Sequence, residues 1–342
     1  MKVKNNYSNI ELFTASSTVK EKITRCFHDL LPFIAIGGAI ASVKSKGNKY
    51  TNLVTLFSLL YMGRKVAQSI IGYIAYPAAS FSVFNREAMI SRRDYYNGTF
   101  TPIQLRKSGC EYGGYMLKNR SNAKCDNWMI LALGNGMSAE DCLEYAYKET
   151  KNDLNVLVIN GPSVGSSARG PFFSQPTRYQ LGAGFEAALQ YLEENGAKKI
   201  IMKGLSLGGG MMAEGVLQHD FAAGKEKGIK YLAISDRTFT RLSSTAASLI
   251  GMFVYPAFWL SGAELNGVAG GKKLSREKIQ HIVINNPNGD GVIKAQVALS
   301  RELKSEDHKL IVENSKMFHN GCLPALAREQ VVNKISEFTA QA

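Results

Sequence analysis

Gly204-Leu205-Ser206-Leu207-Gly208 sets a serine between two glycines at the spacing G-x-S-x-G. A serine hydroxyl attacks a carbonyl when a base takes its proton and a tight strand-to-helix turn presents it. The pattern therefore has chemical meaning only if a strand enters it, a helix leaves it, and an acid and a histidine follow. KKIIMK (Lys198–Lys203) reads as a short buried strand leading into the motif, and GGMMAEGVLQHDFAAG reads as the helix leaving it. Gly204, Gly208, Gly209 and Gly210 keep the backbone unencumbered on both sides of Ser206.

Five histidines could serve as the base. His28 lies far upstream, and His219 falls inside the helix after the motif. His281 and His308 each precede a strand, whereas site residues in a parallel sheet gather beyond the carboxyl ends of strands. His319, in KMFHNG just after the last strand, stands at the correct end. For the acid, HIVINNPNGDGVI places Asp290 in a turn-rich loop after a strand, between Ser206 and His319 in the chain. Asp236, directly after KYLAIS, is the rival, with a helix N-cap or a pairing with Arg237 as its structural alternative. The order Ser, Asp, His differs from that of the two other common serine-nucleophile orders.

Acyl chemistry also needs two preorganised donors where negative charge develops. The backbone N–H of Leu207 is one candidate. The other comes from GNGMS (Gly134–Ser138), with Asn135 first and Gly136 and Met137 next. The same stretch spells G-x-G-x-x-A, a dinucleotide fingerprint that follows a strand and opens a helix. Asn160 then occupies the place of a ribose-binding acid, so an NAD(P)-linked oxidoreductase is the weakest of three functional readings. No cofactor and no metal site are expected.

These residues need a scaffold. FTPIQL (Phe100–Leu105) and YGGYMLK (Tyr112–Lys118) read as an antiparallel pair around a Ser108-Gly109 turn. Further buried strands are expected at Trp128–Leu133, Asn155–Asn160, Lys198–Lys203, Lys230–Ser235, His281–Asn286 and Lys309–Asn314, eight in all. Helices are expected between them, including Ser138–Thr150 with Ser138 as N-cap and Thr177–Asn195 stopping at Gly196. Such alternation implies an α/β fold with a mostly parallel sheet covered on both faces. Between Asp236 and His281 there is room for a helix and a short cap. The apolar run LIGMFVYPAFWLSG (Leu249–Gly262) in that interval reads as a buried helix or an acyl-binding wall.

The 342 residues include 41 Lys and Arg against 28 Asp and Glu, a net charge of +13. Eleven cations and three acids fall in residues 1–86. There they punctuate three low-charge stretches, Leu30–Val43, Tyr50–Gly63 and Val66–Asn85. The first two are short for a bilayer core about 30 Å thick, and the third is broken by polar residues and Pro77. The N-terminal part, residues 1–94, is thus expected to be an apolar, basic helical module, a cap or a membrane-associating element with residues 27–86 against an anionic surface. Residues 95–342 form the second domain. No nucleic-acid motif accompanies the basic charge. Five widely spaced cysteines suggest neither a disulfide framework nor a zinc site and point to a reducing compartment. The start, MKVKNNYSNIELF, lacks the apolar core of a cleavable signal peptide.

Across residues 95–340 the sequence resembles the α/β-hydrolase superfamily. WMILALGNGMS looks like that family's strand and HGxG loop, with Leu133 where histidine often stands. VLVINGPSVGSS resembles its next strand and loop, KKIIMKGLSLGG its elbow, and NPNGDGVI and FHNG the loops of acid and base. More narrowly, the layout is similar to the CHLPS family of hydrolase-like proteins of chlamydiae and related intracellular bacteria. The resemblance implies a Ser206–His319–Asp290 triad that cleaves a carboxylic ester or thioester, with a lipid-like or other small acyl substrate. The alternative is an idle hydrolase fold that acts as a membrane-associated binding or effector protein. Cytoplasm, membrane periphery and secretion as a bacterial effector are the locations in keeping with these readings. Oligomeric state is not legible.

Overall fold

A computed structural model describes residues 11–16, 49–75, 100–119, 122, 125–150, 153–167, 177–303 and 309–341. Its centre is one sheet. The strands are β1 (Glu11–Thr14), β2 (Phe100–Lys107), β3 (Cys110–Leu117), β4 (Asn127–Ala132), β5 (Asn155–Ile159), β6 (Lys199–Leu205), β7 (Lys230–Asp236), β8 (Gln280–Asn285) and β9 (Lys309–Glu313). They lie in the order β1-β2-β3-β5-β4-β6-β7-β8-β9. Only β3 runs against its neighbours. All eight expected strands are present. Glu11–Thr14 adds a ninth, pairing in parallel with Ile103–Arg106 of β2. At four residues it is too short for a sequence periodicity to mark it.

The central strands are apolar on both faces because helices cover both. Ile130, Leu157, Ile200 and Met202 point to one face, against α3 (Arg178–Glu194), α4 (Leu207–Gln218) and α8 (Gly267–Arg276). Met129, Leu131, Ile201 and Ile234 point to the other, against α2 (Leu143–Glu149) and α10 (Ala325–Ala340). The period-2 alternation of adjacent strand residues makes this possible. Helix α3 begins where expected, with a reciprocal capping box between Thr177 and Gln180. Ser108 and Gly109 both take positive φ, at 51° and 76°, closing the tight β2–β3 hairpin.

Three expectations need correction. Ser138 is not a helix N-cap. Its hydroxyl donates to Asp141 and accepts the Asp141 N–H, closing a turn, and α2 starts only at Leu143. The stretches either side of Arg64-Lys65 are joined, as α1 (Lys49–Ala75) runs through both cations. Leu249–Gly262 is not one buried helix. Gly251, at φ 112°, breaks it into α6 (Leu242–Ile250) and α7 (Val254–Ser261), and the tip stands out of the core. The remaining helices are the short α5 (Phe221–Glu226) and α9 (Leu299–Glu302). Leu30–Val43, residues 76–85, His28 and His308 lie outside the described residues, so of the proposed membrane segment 27–86 only 49–75 is described.

Candidate active site

Strand β6 ends at Leu205 and helix α4 begins at Leu207, so Ser206 alone makes the turn. It takes φ 51° and ψ −115°, a conformation that L-residues adopt at a cost of about 1–3 kcal/mol. The surroundings hold it there. The Ser206 N–H donates to the Asp236 carbonyl at 2.8 Å, and the Thr238 hydroxyl donates to the Ser206 carbonyl at 2.6 Å. The turn also demands bare backbone: a Cβ on Gly208 would sit 2.2 Å from the Ala132 carbonyl oxygen.

Ser206, His319 and Asp290 meet beyond the carboxyl ends of the strands. Ser206 Oγ lies 2.8 Å from His319 Nε2, and His319 Nδ1 lies 2.9 Å from Asp290 Oδ2. Asp290 Oδ1 accepts the N–H groups of Val292 at 3.1 Å and Ile293 at 2.7 Å. Burial by itself would push the Asp290 carboxyl up. The hydrogen bond from His319, the Ile293 N–H, the charge His319 can carry and the Val292 N–H outweigh it, so its pKa is lowered. An ionised carboxylate can only accept, which puts the proton of neutral His319 on Nδ1. Nε2 then offers a lone pair to the Ser206 hydroxyl.

Asp236 is not part of this row. Both its oxygens accept from the next residue, Arg237, at 2.7 Å from Nε and 3.1 Å from Nη2. Sequence reasoning weighed Arg237 only as a partner for Asp236 and missed its further contacts. Arg237 Nη1 donates to the carbonyls of Phe318 at 2.7 Å and Gly321 at 2.6 Å, bracketing His319. The one local sign is the Asp-Arg pair at a strand end. The carbonyls it reaches lie more than 80 residues away and leave no signal.

Of the proposed donors, the Leu207 N–H belongs to the first turn of α4, where no helical acceptor exists. Gly134 lies beside the serine, since a Cβ built on it would come within 3.7 Å of Ser206 Cβ. Gly134 to Met137 form a turn with Gly136 at φ 77°, in which the Met137 N–H bonds the Gly134 carbonyl at 3.3 Å. Met137 is thereby committed, leaving Asn135 and Gly136 as the loop's donors. The dinucleotide reading loses its physical basis here. The fingerprint must open a helix, and Gly134–Ala139 is followed by turns instead. Asn160 ties that loop to the next one: its Oδ1 accepts the Ala139 N–H at 2.7 Å and its amide donates to buried Glu140.

Leu207 and Met211 of α4 share one apolar cluster with Phe239, Leu242, Val254 and Phe258. The inner side of α6 and α7 thus roofs the serine's end of the sheet with hydrocarbon. His281, buried low on β8, bonds the Ser235 hydroxyl at 2.9 Å instead. Among the described residues, no group of three or more His, Cys, Asp or Glu could hold a metal ion.

A family model described as Chlamydia CHLPS protein (DUF818) matches residues 117–339, well over half of the chain. No functionally curated protein matches. Among solved structures, the chain is similar to the esterase Pf2001 of Pyrococcus furiosus, at 15% identity and a TM-score of 0.51, over 72% of this chain and 92% of that one. It is also similar to Est1E of Butyrivibrio proteoclasticus with ferulic acid bound, at 18% identity and 0.49, over 69% and 96%. A soluble variant of the monoglyceride lipase of Saccharomyces cerevisiae matches at 12% identity and 0.46, over 69% and 94%. The fold is that of the α/β hydrolases.

Proposed function

The chain belongs to the CHLPS family, and from its α/β-hydrolase fold and the Ser206 site we propose that it is a serine hydrolase cleaving a carboxylic ester or thioester through an acyl-enzyme. The observation that carries this reading is the unbroken row of hydrogen bonds from Ser206 Oγ through His319 to Asp290, at 2.8 and 2.9 Å. His319 Nε2 takes the hydroxyl proton as Ser206 Oγ bonds to the acyl carbon. The carbonyl π-electrons move onto oxygen, where the N–H groups of Leu207 and Asn135 meet the charge. The intermediate collapses, and the leaving oxygen or sulfur takes the proton from His319. Water, deprotonated by His319, then attacks the acyl carbon, and Ser206 Oγ leaves as His319 returns the proton to it. Asp290 holds the imidazole and balances its positive form. Arg237 is a positioning residue, fixing the Phe318–Gly321 loop that carries the base.

The apolar roof of α6 and α7 supports a lipid-like acyl group. The described cysteines, Cys110, Cys125, Cys142 and Cys322, are free, in keeping with a reducing compartment. The basic charge of residues 27–86 supports a place at an anionic membrane surface. One observation favours a second reading, an idle fold used for membrane-associated binding. The exposed apolar surface of α1 exceeds what a small acyl substrate requires.

A fluorophosphonate probe on the full-length protein separates the two. Labelling is expected on wild type and absent from Ser206→Ala. Folded wild type that fails to label would end the hydrolase reading and leave the binding one.

A further inference from the structure

Exposed large apolar side chains are not scattered over this protein. Of eighteen among the described residues, eight lie on α1 and six on the α6–α7 hairpin. These two elements form one body. Gln68 of α1 donates to the Ser261 carbonyl of α7 at 2.8 Å in a buried contact, and Ile71 packs in the cluster that holds Val254 and Phe258. The hairpin presents Met252, Phe253 and Trp259 at 78%, 74% and 84% exposure, and α1, docked against it through Gln68 and Ile71, presents Phe57, Leu59 and Met62. Fourteen exposed large apolar side chains on two packed elements mark an interaction surface. The patch belongs to the reactive end of the molecule. The hairpin follows β7 at its carboxyl end, and Phe318, next to His319, is itself 74% exposed.

Charge selects the occupant. Residues 30–86 contain six cations and no acid, and residues 242–263 contain no charged residue. A second copy would bring the same cations and be repelled, whereas an anionic lipid surface attracts them. Trp259 and Tyr255 are side chains of the kind that sit at headgroup depth. Among the described residues no helix is long and apolar enough to cross a membrane. We propose that α1 and the α6–α7 hairpin form a single seat for an anionic bilayer, with Met252 and Phe253 inserted below the headgroups, Trp259 at their level and the Ser206 cleft turned toward the lipid. This extends the membrane part of the reading above from residues 27–86 to 249–262, and rests on that reading only for the cleft's role.

The test is binding of full-length protein to vesicles of phosphatidylcholine with 30% phosphatidylglycerol (about one anionic lipid in three), compared with phosphatidylcholine alone. Expected are at least tenfold tighter binding to the anionic vesicles, weakening with salt, and a blue shift of tryptophan emission. The other tryptophan, Trp128, is buried in β4, so the shift reports Trp259. The triple variant Met252→Ser, Phe253→Ser, Trp259→Ser should lose at least tenfold in binding. Trp259→Phe should still bind while losing the shift. Equal binding by wild type and triple variant would overturn the proposal. So would dimerisation in solution that the triple variant abolishes while wild type ignores vesicles. Fluorophosphonate labelling of the triple variant stays at the wild-type level, because its substitutions are on exposed side chains and leave the inner roof residues Leu242, Val254 and Phe258 unchanged. Loss of vesicle binding thus reports on the seat and loss of labelling on the hydrolase reading.

Discussion

At the start of α4, His319 lies between Ser206 and Asp290; at its end, His219 caps the helix between Glu186 and Glu193. The two sites are separated by a helix of 12 residues, about 18 Å of rise. Both are histidine–carboxylate systems screened from bulk water, but their chemistry differs. His219 Nε2 bonds Glu193 at 2.8 Å and Nδ1 lies 3.6 Å from Glu186, with Tyr231 also donating to Glu193 and Lys107 paired to Glu186 at 2.5 Å. Burial alone would lower the His219 pKa, but the two carboxylates outweigh it and raise it. Nε2 is thereby tied to Glu193, and Nδ1 faces Glu186 from beyond hydrogen-bonding distance. His319 faces one carboxylate and keeps a lone pair aimed at a hydroxyl. What separates a base from a buried ion network is an uncommitted lone pair beside a nucleophile, not the nearness of acids.

Variants at both ends can break or sharpen that contrast. The largest effect belongs to Ser206→Ala and His319→Ala. Each should abolish fluorophosphonate labelling and lower ester hydrolysis by about 10³-fold or more. Labelling that survived Ser206→Ala would mean the reactive serine lies elsewhere, and labelling that survived His319→Ala would mean another group serves as its base. Next, Asp290→Asn should lower kcat by about 10²–10⁴-fold through loss of the correct tautomer. Asp236→Asn should act mainly on stability, by about 3 kcal/mol in urea unfolding, because it strips a buried arginine of its partner.

Smaller again is Arg237→Lys. A lysine lacks the planar fork that spans Asp236 and two carbonyls, so the labelling rate and kcat should fall about tenfold. KM should move little, and the fall in kcat should persist well below the thermal midpoint, whereas a purely structural arginine would lower the midpoint and leave kcat there unchanged. The smallest catalytic effect is His219→Gln, with labelling within about twofold of wild type. Its signature is stability. A group with a raised folded pKa contributes fully below its ordinary value of 6.5 and loses that contribution as pH rises through the folded value. The wild type should therefore exceed the variant by about 2 kcal/mol near pH 6, with the gap closing as pH rises. A gap that widened with pH would refute the assignment of charge at this end.

The row of Ser206, His319 and Asp290 was legible because each member has a local signature: glycines around Ser206 after an apolar strand, a turn-rich loop at Asp290, and His319 as the one histidine after a strand. The strands were legible for the same reason, since continuous apolar runs mark a sheet buried on both faces. What escaped depends on distance or on competition. Arg237 spans more than 80 residues to reach the base loop. Ser138 had the composition of an N-cap, but Asp141 three residues on gave its hydroxyl a turn to close instead. Gly251 inside an apolar run broke the helix and put Met252 and Phe253 outside.

The edge strand has a practical consequence. Glu11–Thr14 lies in parallel beside Ile103–Arg106, and the Ala15 N–H continues the pairing to the Arg106 carbonyl at 2.8 Å. Parallel neighbours cannot be joined by a hairpin, and the connection must travel back along the strand length. Residues 17–99 therefore connect two neighbouring strands at one rim of the sheet and are not a terminal tail. Removing everything before Phe100 would strip the rim and bare β2 to edge-to-edge association. Excising 17–99 and bridging the gap with a flexible linker of about a dozen residues would keep the rim closed. Only the second cut isolates the hydrolase fold from its basic, apolar appendage.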